Sequence, residues 1–442
     1  MVAVVGISVM VLAWAYPKPA MYAALLSVLL FREETWQMTF LGMPTLGVQT
    51  FYTMNYGGVT IQLALVGPAF LRTVWDVPRT RLRVNSALDV WLVVLLLVDV
   101  LGEIWGRVQS GYSALFMGHA QYFALPVMAA IVVRQWFTVH DARRLSRAFF
   151  LLALLRTSYG LGRYALGYGD IHFELGKRIV FWDIADGLFA AAVATVGIVL
   201  LFAERRALWR GVGLVAVAAG IATVALSLRR APMLSLVVGV SVGLWVFASS
   251  YSRNVRALRM RALTTAAIVV GALLAQPPDT VVRTRFLSSF RAGGPLAATN
   301  MWHIADLIDG LRAALRRPLT GWGYHVAPPR LVDYLQVQSA SIESVGLYHN
   351  MYIYSWIRMG ILGLLGVVAT GALGMRSGRQ VAAERRDAVL GSSLVGIIAS
   401  IMIAGLTSHT LWSFRIPYVY FGAAAIGTVL AASRDVDGQS RE

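Results

Sequence analysis

Apolar runs close to 20 residues long recur along the whole chain, separated by short polar stretches in which arginine dominates. A run of that length matches one bilayer crossing at the 1.5 Å rise of an α-helix, about 20 residues. The pattern predicts helices over 2–16, 20–31, 57–74, 86–105, 112–136, 148–163, 180–203, 210–228, 232–251, 263–275, 350–374, 388–408 and 414–432. Segment 36–50 is too broken by Gly42, Pro44 and Gly47 to assign. The expectation is therefore an all-α, polytopic transmembrane helical bundle of 12 to 14 spans. Its first run begins almost at Met1 with no basic segment before it and no small-residue cleavage site after it, so it reads as a retained helix.

Composition agrees with the pattern: 57% of residues are hydrophobic and 14% charged, which excludes a soluble globule. The 41 glycines and 13 tryptophans fit membrane helices and their interfaces. With no cysteine, neither a disulfide nor a thiolate metal site exists.

Charge orients the helices. The net charge of +17 resides mostly in arginine clusters, at Arg79, Arg81 and Arg83; Arg143, Arg144 and Arg147; Arg205, Arg206 and Arg210; Arg253, Arg256, Arg259 and Arg261; and Arg376, Arg379, Arg385 and Arg386. Each cluster is expected on the cytoplasmic side. Two apolar segments separate consecutive clusters, so the parity is consistent and predicts four regions. These are a transmembrane bundle at 1–275, an extracytoplasmic loop at 276–349, C-terminal transmembrane helices at 350–432 and a cytoplasmic tail at 433–442.

The long loop holds an amphipathic helix from Asn300 to Arg317, with Ile304, Leu307, Ile308, Leu311 and Leu315 on one face and Asp306, Asp309, Arg312 and Arg316 largely elsewhere. Thr299 or Asn300 would cap it and Pro318 would stop it. Such a helix would lie on the membrane or over a cavity, with Arg312, Arg316 and Arg317 solvated. Arg229, Arg230, Arg283, Arg285 and Arg291 fall outside, against the positive-inside trend. Each alone fits a headgroup anchor; together they suggest an anion, since guanidinium forks suit a diphosphate. Asp99 with Glu103, and Asp183 with Asp186, are embedded acids suited to internal ion pairing or to lining an acceptor groove. The sequence carries no outer Asp-x-Asp, no His-x-x-x-His and no P-loop or Rossmann glycines, so no metal, nucleotide cofactor or nucleic acid is expected. Were a metal needed, Asp333 and Glu343 would be the first residues to consider.

His349-Asn350 opens the apolar run at 350–374, followed by Gly360 and Gly363. On one uninterrupted helix Gly360 lies roughly 20° and Gly363 roughly 40° from His349, so all three share a face that lets a second helix approach. The same residues fit an interfacial polar histidine above packing glycines. They also fit a proton-transferring group placed where a helix meets water.

Three segments carry a family resemblance. His349-Asn350-x9-Gly360-x-x-Gly363, the stretch from Trp302 to Gly323 (WHIADLIDGLRAALRRPLTGWG) and LSLRRAPMLSL at 226–236 resemble the O-antigen ligase and polymerase superfamily over roughly residues 210–430. Arg229 and Ala231 replace the serine and glycine around the family arginine, here Arg230, and the arginine often found just before the tryptophan is absent. The resemblance implies a GT-C-like membrane glycosyltransferase that moves a glycan from an undecaprenyl-diphosphate carrier to an acceptor hydroxyl. The acceptor is lipid A-core in a ligase and another carrier-linked glycan in a polymerase, at the outer face of the bacterial inner membrane. His349 would be the base and Arg230 with Arg291 the diphosphate-binding pair, with Arg283 or Arg285 as substitutes for Arg291. Arg229, Glu343 and Trp302 would line the substrate site, and Asn350 would orient a sugar or cap the helix that follows. Membrane lipids are the other partners. A lipid-linked glycan flippase or anion transporter is the reading from a different class, and it needs binding without a base.

Overall fold

The computed structural model describes residues 2–30, 39–40, 43–44, 60–80, 86–111, 121–172, 176–181, 184–251, 283, 297–326, 328, 348–384, 386–408, 410–412 and 415–439. Its helices, in chain order, are α1 (Val2–Ala15), α2 (Pro17–Leu30), α3 (Ile61–Thr80), α4 (Ala87–Ser110), α5 (Gln121–Trp136), α6 (Val139–Ala165), α7 (Ile184–Ala203), α8 (Ala207–Leu226), α9 (Arg230–Tyr251), α10 (Ala297–Arg316), α11 (Met351–Ala382), α12 (Ala388–Ala404) and α13 (Ile416–Gln439). Thr39–Phe40 and Met43–Pro44 form one small antiparallel pair, and Asp170–His172 with Lys177–Ile179 forms another. The predicted helix at 263–275 lies outside the described residues.

The chain is a largely helical membrane protein. Among the described residues α7, α8, α9 and α11 are long and apolar enough to cross a bilayer, and the pair Val5–Ala15 and Pro17–Leu29, bent by 119°, makes a fifth if counted as one span. This count covers the described residues alone and does not test the 12 to 14 spans that the pattern predicts. Phe123–Trp136, Ala388–Ala404 and Ile416–Ala432 are shorter apolar helices among the described residues. Helices α4 and α6 carry charges within their length, among them Asp99 and Glu103 in α4 and Arg156 in α6. Helix α6 also starts earlier than its apolar stretch, so Arg143, Arg144 and Arg147 sit on its first turns and not in a loop.

Ion pairs gather one set of helix ends. Arg134 grips Asp89 with two bonds of 2.8 and 2.9 Å, joining the end of α5 to the capping box of α4. Arg143 pairs with Asp387 at the start of α12. Thr138 caps α6 reciprocally with Asp141, which also takes Lys18 at 2.9 Å. Asp141 lies in the polar first turn, ahead of the apolar stretch. Its partial burial opposes ionisation, but the Thr138 and Lys18 bonds outweigh that and bring the carboxyl down to about 2.

Small residues let the central helices touch. Ser235 and Ser400 exchange hydroxyl-to-carbonyl bonds of 2.9 and 2.8 Å, and a methyl on Gly396 would meet the Gly239 carbonyl at 2.7 Å. Further along the same pair, a methyl on Gly243 would meet the Ser392 carbonyl at 3.4 Å, so α9 and α12 run antiparallel. The start of α9 therefore lies beside the end of α12. Helix α11 packs against α4, α12 and α13, with Gly366 against Leu95 and Gly374 against Ala424.

Candidate functional site

The helix after His349 is not continuous. It breaks at Gly360, with φ 70° and ψ −171°, a backbone region essentially restricted to glycine. The shared face expected for His349, Gly360 and Gly363 therefore does not exist, because the rotation per residue does not run through the break. A methyl on Gly360 would overlap the Leu319 carbonyl, and one on Gly363 would crowd Met359 and the Ser355 carbonyl of its own helix. What approaches Gly360 is thus a loop, and what fills the space beside Gly363 is its own chain; neither admits a second helix.

That loop, residues 318–323, takes over the hydrogen bonds the break sets free. Ile361 N, which in an unbroken helix would donate to Ile357, donates instead to the Pro318 carbonyl at 2.8 Å. The orphaned Ile357 carbonyl accepts from Trp322 N at 2.6 Å, and Trp356 Nε1 also donates to Pro318, at 2.9 Å. Gly321, at φ 70°, lies so close to Gly360 that a methyl would meet its nitrogen at 2.7 Å. The two glycine-bearing segments singled out in the sequence are therefore two halves of one joint.

Beyond the joint the chain wedges between α4 and α11. Gly323 adopts φ 77°, and its own position and that of Gly106 leave no room for a Cβ. Tyr324 N donates to the Gly102 carbonyl at 3.0 Å and the Tyr324 hydroxyl to Asp99. His325 Nε2 contacts Glu103 at 2.8 Å, and Glu103 also pairs with Arg107 at 2.6 Å. Arg358, fully buried, donates to the carbonyls of Gly323 and Val326 at 2.8 and 2.7 Å. The embedded acids of α4 thus find partners inside the fold. Arg317, expected to be solvated, instead lies 4.2 Å over the Trp322 ring and donates to Gln109, while Arg312 and Arg316 are exposed.

His349 sits between α10 and α11. Helix α10 separates its apolar and acidic residues as the pattern predicts, and the acidic side is the one turned inward: Asp306 is 2% and Asp309 3% exposed, whereas Ile304 is 45% and Leu315 58% exposed. Asp306 Oδ2 accepts from the His349 main-chain N at 2.6 Å and lies 3.5 Å from ring atom Nδ1. The rings of His303 and His349 meet edge to face at 5.4 Å. Among the described residues, Asp306 Oδ1 and both oxygens of Asp309 have no hydrogen-bond partner. Asn350 caps α11 by accepting from Tyr352 N and Ile353 N at 3.0 and 3.1 Å, and donates through Nδ2 to the Leu406 carbonyl at 3.0 Å. Met351 N reaches the Gly405 carbonyl at 2.8 Å. The capping role of Asn350 is present, and it also moors the histidine's helix to the end of α12.

Arg229 and Arg230, both half-buried, form the turn into α9, after Leu228 at φ 53°. Because α9 and α12 are antiparallel, this turn lies at the same end of the bundle as Leu406 and hence as Asn350 and His349. Arg283 is half-buried. Arg285, Arg291, Asp333, Glu343, Asp183 and His409 lie outside the described residues, and Trp302 is described only as part of the α10 backbone. Asp186, near the start of α7, is held by Arg156 and by Arg415, the latter at 3.0 Å. The sequence reading passed over Asp306, Arg358, Arg415 and Arg156. The spacing of His303, Asp306 and Gly310 on one helical stripe was the available signal for the first. Among the described residues, no group of three or more His, Asp or Glu side chains is placed to hold a metal ion.

Residues 215–368 match the Wzy_C family model, described as O-antigen ligase. No curated protein sequence matches the chain. The matched segment contains the turn with Arg229 and Arg230, helix α10, the joint at Gly360 and His349.

Proposed function

We propose that this chain, whose residues 215–368 match the O-antigen ligase family model, is an O-antigen ligase. It would transfer a finished glycan from an undecaprenyl-diphosphate carrier to a hydroxyl of lipid A-core at the outer face of the inner membrane. The carrying observation is His349, a partly exposed imidazole anchored through its main-chain nitrogen at the end of an apolar helix. A sugar hydroxyl is a weak nucleophile, and a lipid diphosphate leaves readily once its charge is stabilised. The reaction therefore needs a base and cations. His349 takes the hydroxyl proton, a contribution of about 10²- to 10⁴-fold in rate. Arg230 and Arg291 bind the diphosphate and offset the charge that develops on it, with Arg229, Arg283 and Arg285 adding to the positive surface. Glu343 and Trp302 contact sugars. Attack opposite the leaving group inverts the anomeric centre, and no metal takes part.

The test is transfer by purified protein supplied with an undecaprenyl-diphosphate glycan and two acceptors, lipid A-core and a second carrier-linked glycan, in excess chelator. One glycan added to lipid A-core supports the ligase reading. A ladder of products on the carrier means a polymerase with the same chemistry, and binding without transfer means a transporter. His349→Ala is expected to stay folded and lose at least about 99% of the rate; retention of more than about a tenth rejects it as the base.

A further inference from the structure

We infer that Asp306 is a positioning residue for His349, holding the imidazole in the tautomer that carries the ring lone pair on Nε2, the atom that takes the acceptor proton. This rests on the reading of His349 as the base. One carboxylate oxygen does two things: Oδ2 lies 2.6 Å from the His349 main-chain nitrogen and 3.5 Å from Nδ1 of its ring. The first is a hydrogen bond that fixes where the side chain begins; the second is a charge-range contact without a hydrogen bond, with Nδ1 the ring atom beside the carboxylate. An ionised carboxylate only accepts, so the ring atom turned toward it carries the proton and the lone pair resides on Nε2. The His303 ring packs edge to face against the imidazole at 5.4 Å.

The surroundings make the carboxylate effective. Asp306 is 2% exposed, so little water screens its field at the imidazole. Among the described residues its hydrogen-bond and charge contacts are with His349, Oδ1 has no hydrogen-bond partner, and no arginine or lysine pairs with it. Helix α10 contributes His303, Asp306 and Asp309 here, and the first turn of α11 adds the phenols of Tyr352 and Tyr354 but no acidic residue. In the step itself the acceptor O–H proton passes to Nε2. The oxygen bonds to the anomeric carbon, and the electron pair of the broken glycosidic C–O bond leaves with the carrier diphosphate. The imidazolium so formed faces Asp306 through Nδ1–H, which stabilises it, and afterwards returns its proton to water.

Full-length Asp306→Asn, Asp306→Glu and His349→Ala, assayed with the lipid-linked donor and acceptor, test this. Asparagine keeps an acceptor for the main-chain nitrogen but has no charge, and its amide can donate to Nδ1. The expected result is a kcat lowered on the order of 100-fold with KM nearly unchanged. Glutamate should restore part of kcat. Nitrogen-15 spectra of labelled histidine should report Nδ1–H for His349 in the wild type and a shift toward Nε2–H in Asp306→Asn. If Asp306→Asn transfers at the wild-type rate, or loses rate and thermal stability together with the tautomer unmoved, the positioning role is wrong. An active His349→Ala instead rejects the base on which the inference stands.

Discussion

Asp186 and Asp306 are equally inaccessible, at 2% exposure each, yet they are held in opposite ways. Asp186 is clamped between Arg156 and Arg415, two cations that never release a proton at physiological pH, and Arg156 reaches on to the Leu29 carbonyl. Asp306 instead meets a main-chain amide and an imidazole. A carboxylate locked by guanidinium groups is a strut between α6, α7 and the start of α13. A carboxylate facing an imidazole leaves a proton free to move. Burial alone, then, does not mark a reactive acid; the nature of its partner does.

The sharpest way to break that contrast is to remove the strut. Asp186→Asn leaves two buried guanidinium groups without their counter-charge and should cost about 3–5 kcal/mol of stability. Thermal unfolding followed by tryptophan fluorescence measures it, and the fraction still folded should transfer glycan at the normal rate. Impaired transfer in well-folded protein would move Asp186 to the reactive side of the comparison.

Gly360→Ala comes next, at about 3 kcal/mol, since alanine is strained at that backbone geometry and its methyl overlaps the Leu319 carbonyl. Its damage should centre on the α10–α11 contact, so transfer falls more steeply than global stability. Equal losses in both would show that the joint does not support the histidine.

Arg230→Lys sharpens the other half. A bidentate grip on a diphosphate loses on the order of 10-fold in transfer when the planar fork becomes a point charge. Arg316→Lys, on the exposed side of α10, is the control and should be near normal. Wild-type transfer by Arg230→Lys would make that turn a headgroup anchor.

The smallest effect belongs to Asp141, at the far end. Asp141→Asn weakens the capping box and the Lys18 pair and should cost about 1 kcal/mol at neutral pH with transfer unchanged. The carboxyl is lowered from 3.8 to about 2, so its contribution is present in full above pH 4 and is lost as the pH falls through about 2. Wild-type and variant melting temperatures should therefore converge over that interval, and a gap that widens on acidification contradicts the assignment.

Helix positions were legible in the sequence because burial in lipid imposes long apolar runs, and α7, α8, α9, α11 and α12 fall where those runs do. The histidine motif was legible as well, together with the glycines and the tryptophan segment. What joins them was not. A periodicity argument assumes a helix runs through, and Gly360 ends that assumption because its backbone conformation is set by a loop about 40 residues earlier in the chain. Asp306 was hidden for a related reason. On α10 the polar stripe faces the protein and the leucine stripe faces outward, the reverse of a helix on a soluble domain, so the inward acid looked like a solvent-facing one. Arg415 and Arg358 gave no periodic signal at all, since each is recognised only by the carboxylate or carbonyls that distant segments bring to it.

The exchanged bond at Gly360 turns one amide into a gauge. In an ordinary helix the exchange of Ile361 N–H with deuterium would report local fraying, but here its acceptor belongs to Pro318, 43 positions away. That proton becomes labile only when the two segments part. The Trp322 amide, donating the other way to Ile357, should label with it at a common rate. Slowing of both rates when a lipid-linked glycan is added would record, at a site remote from the sugar, how tightly the substrate draws the outer element onto the bundle.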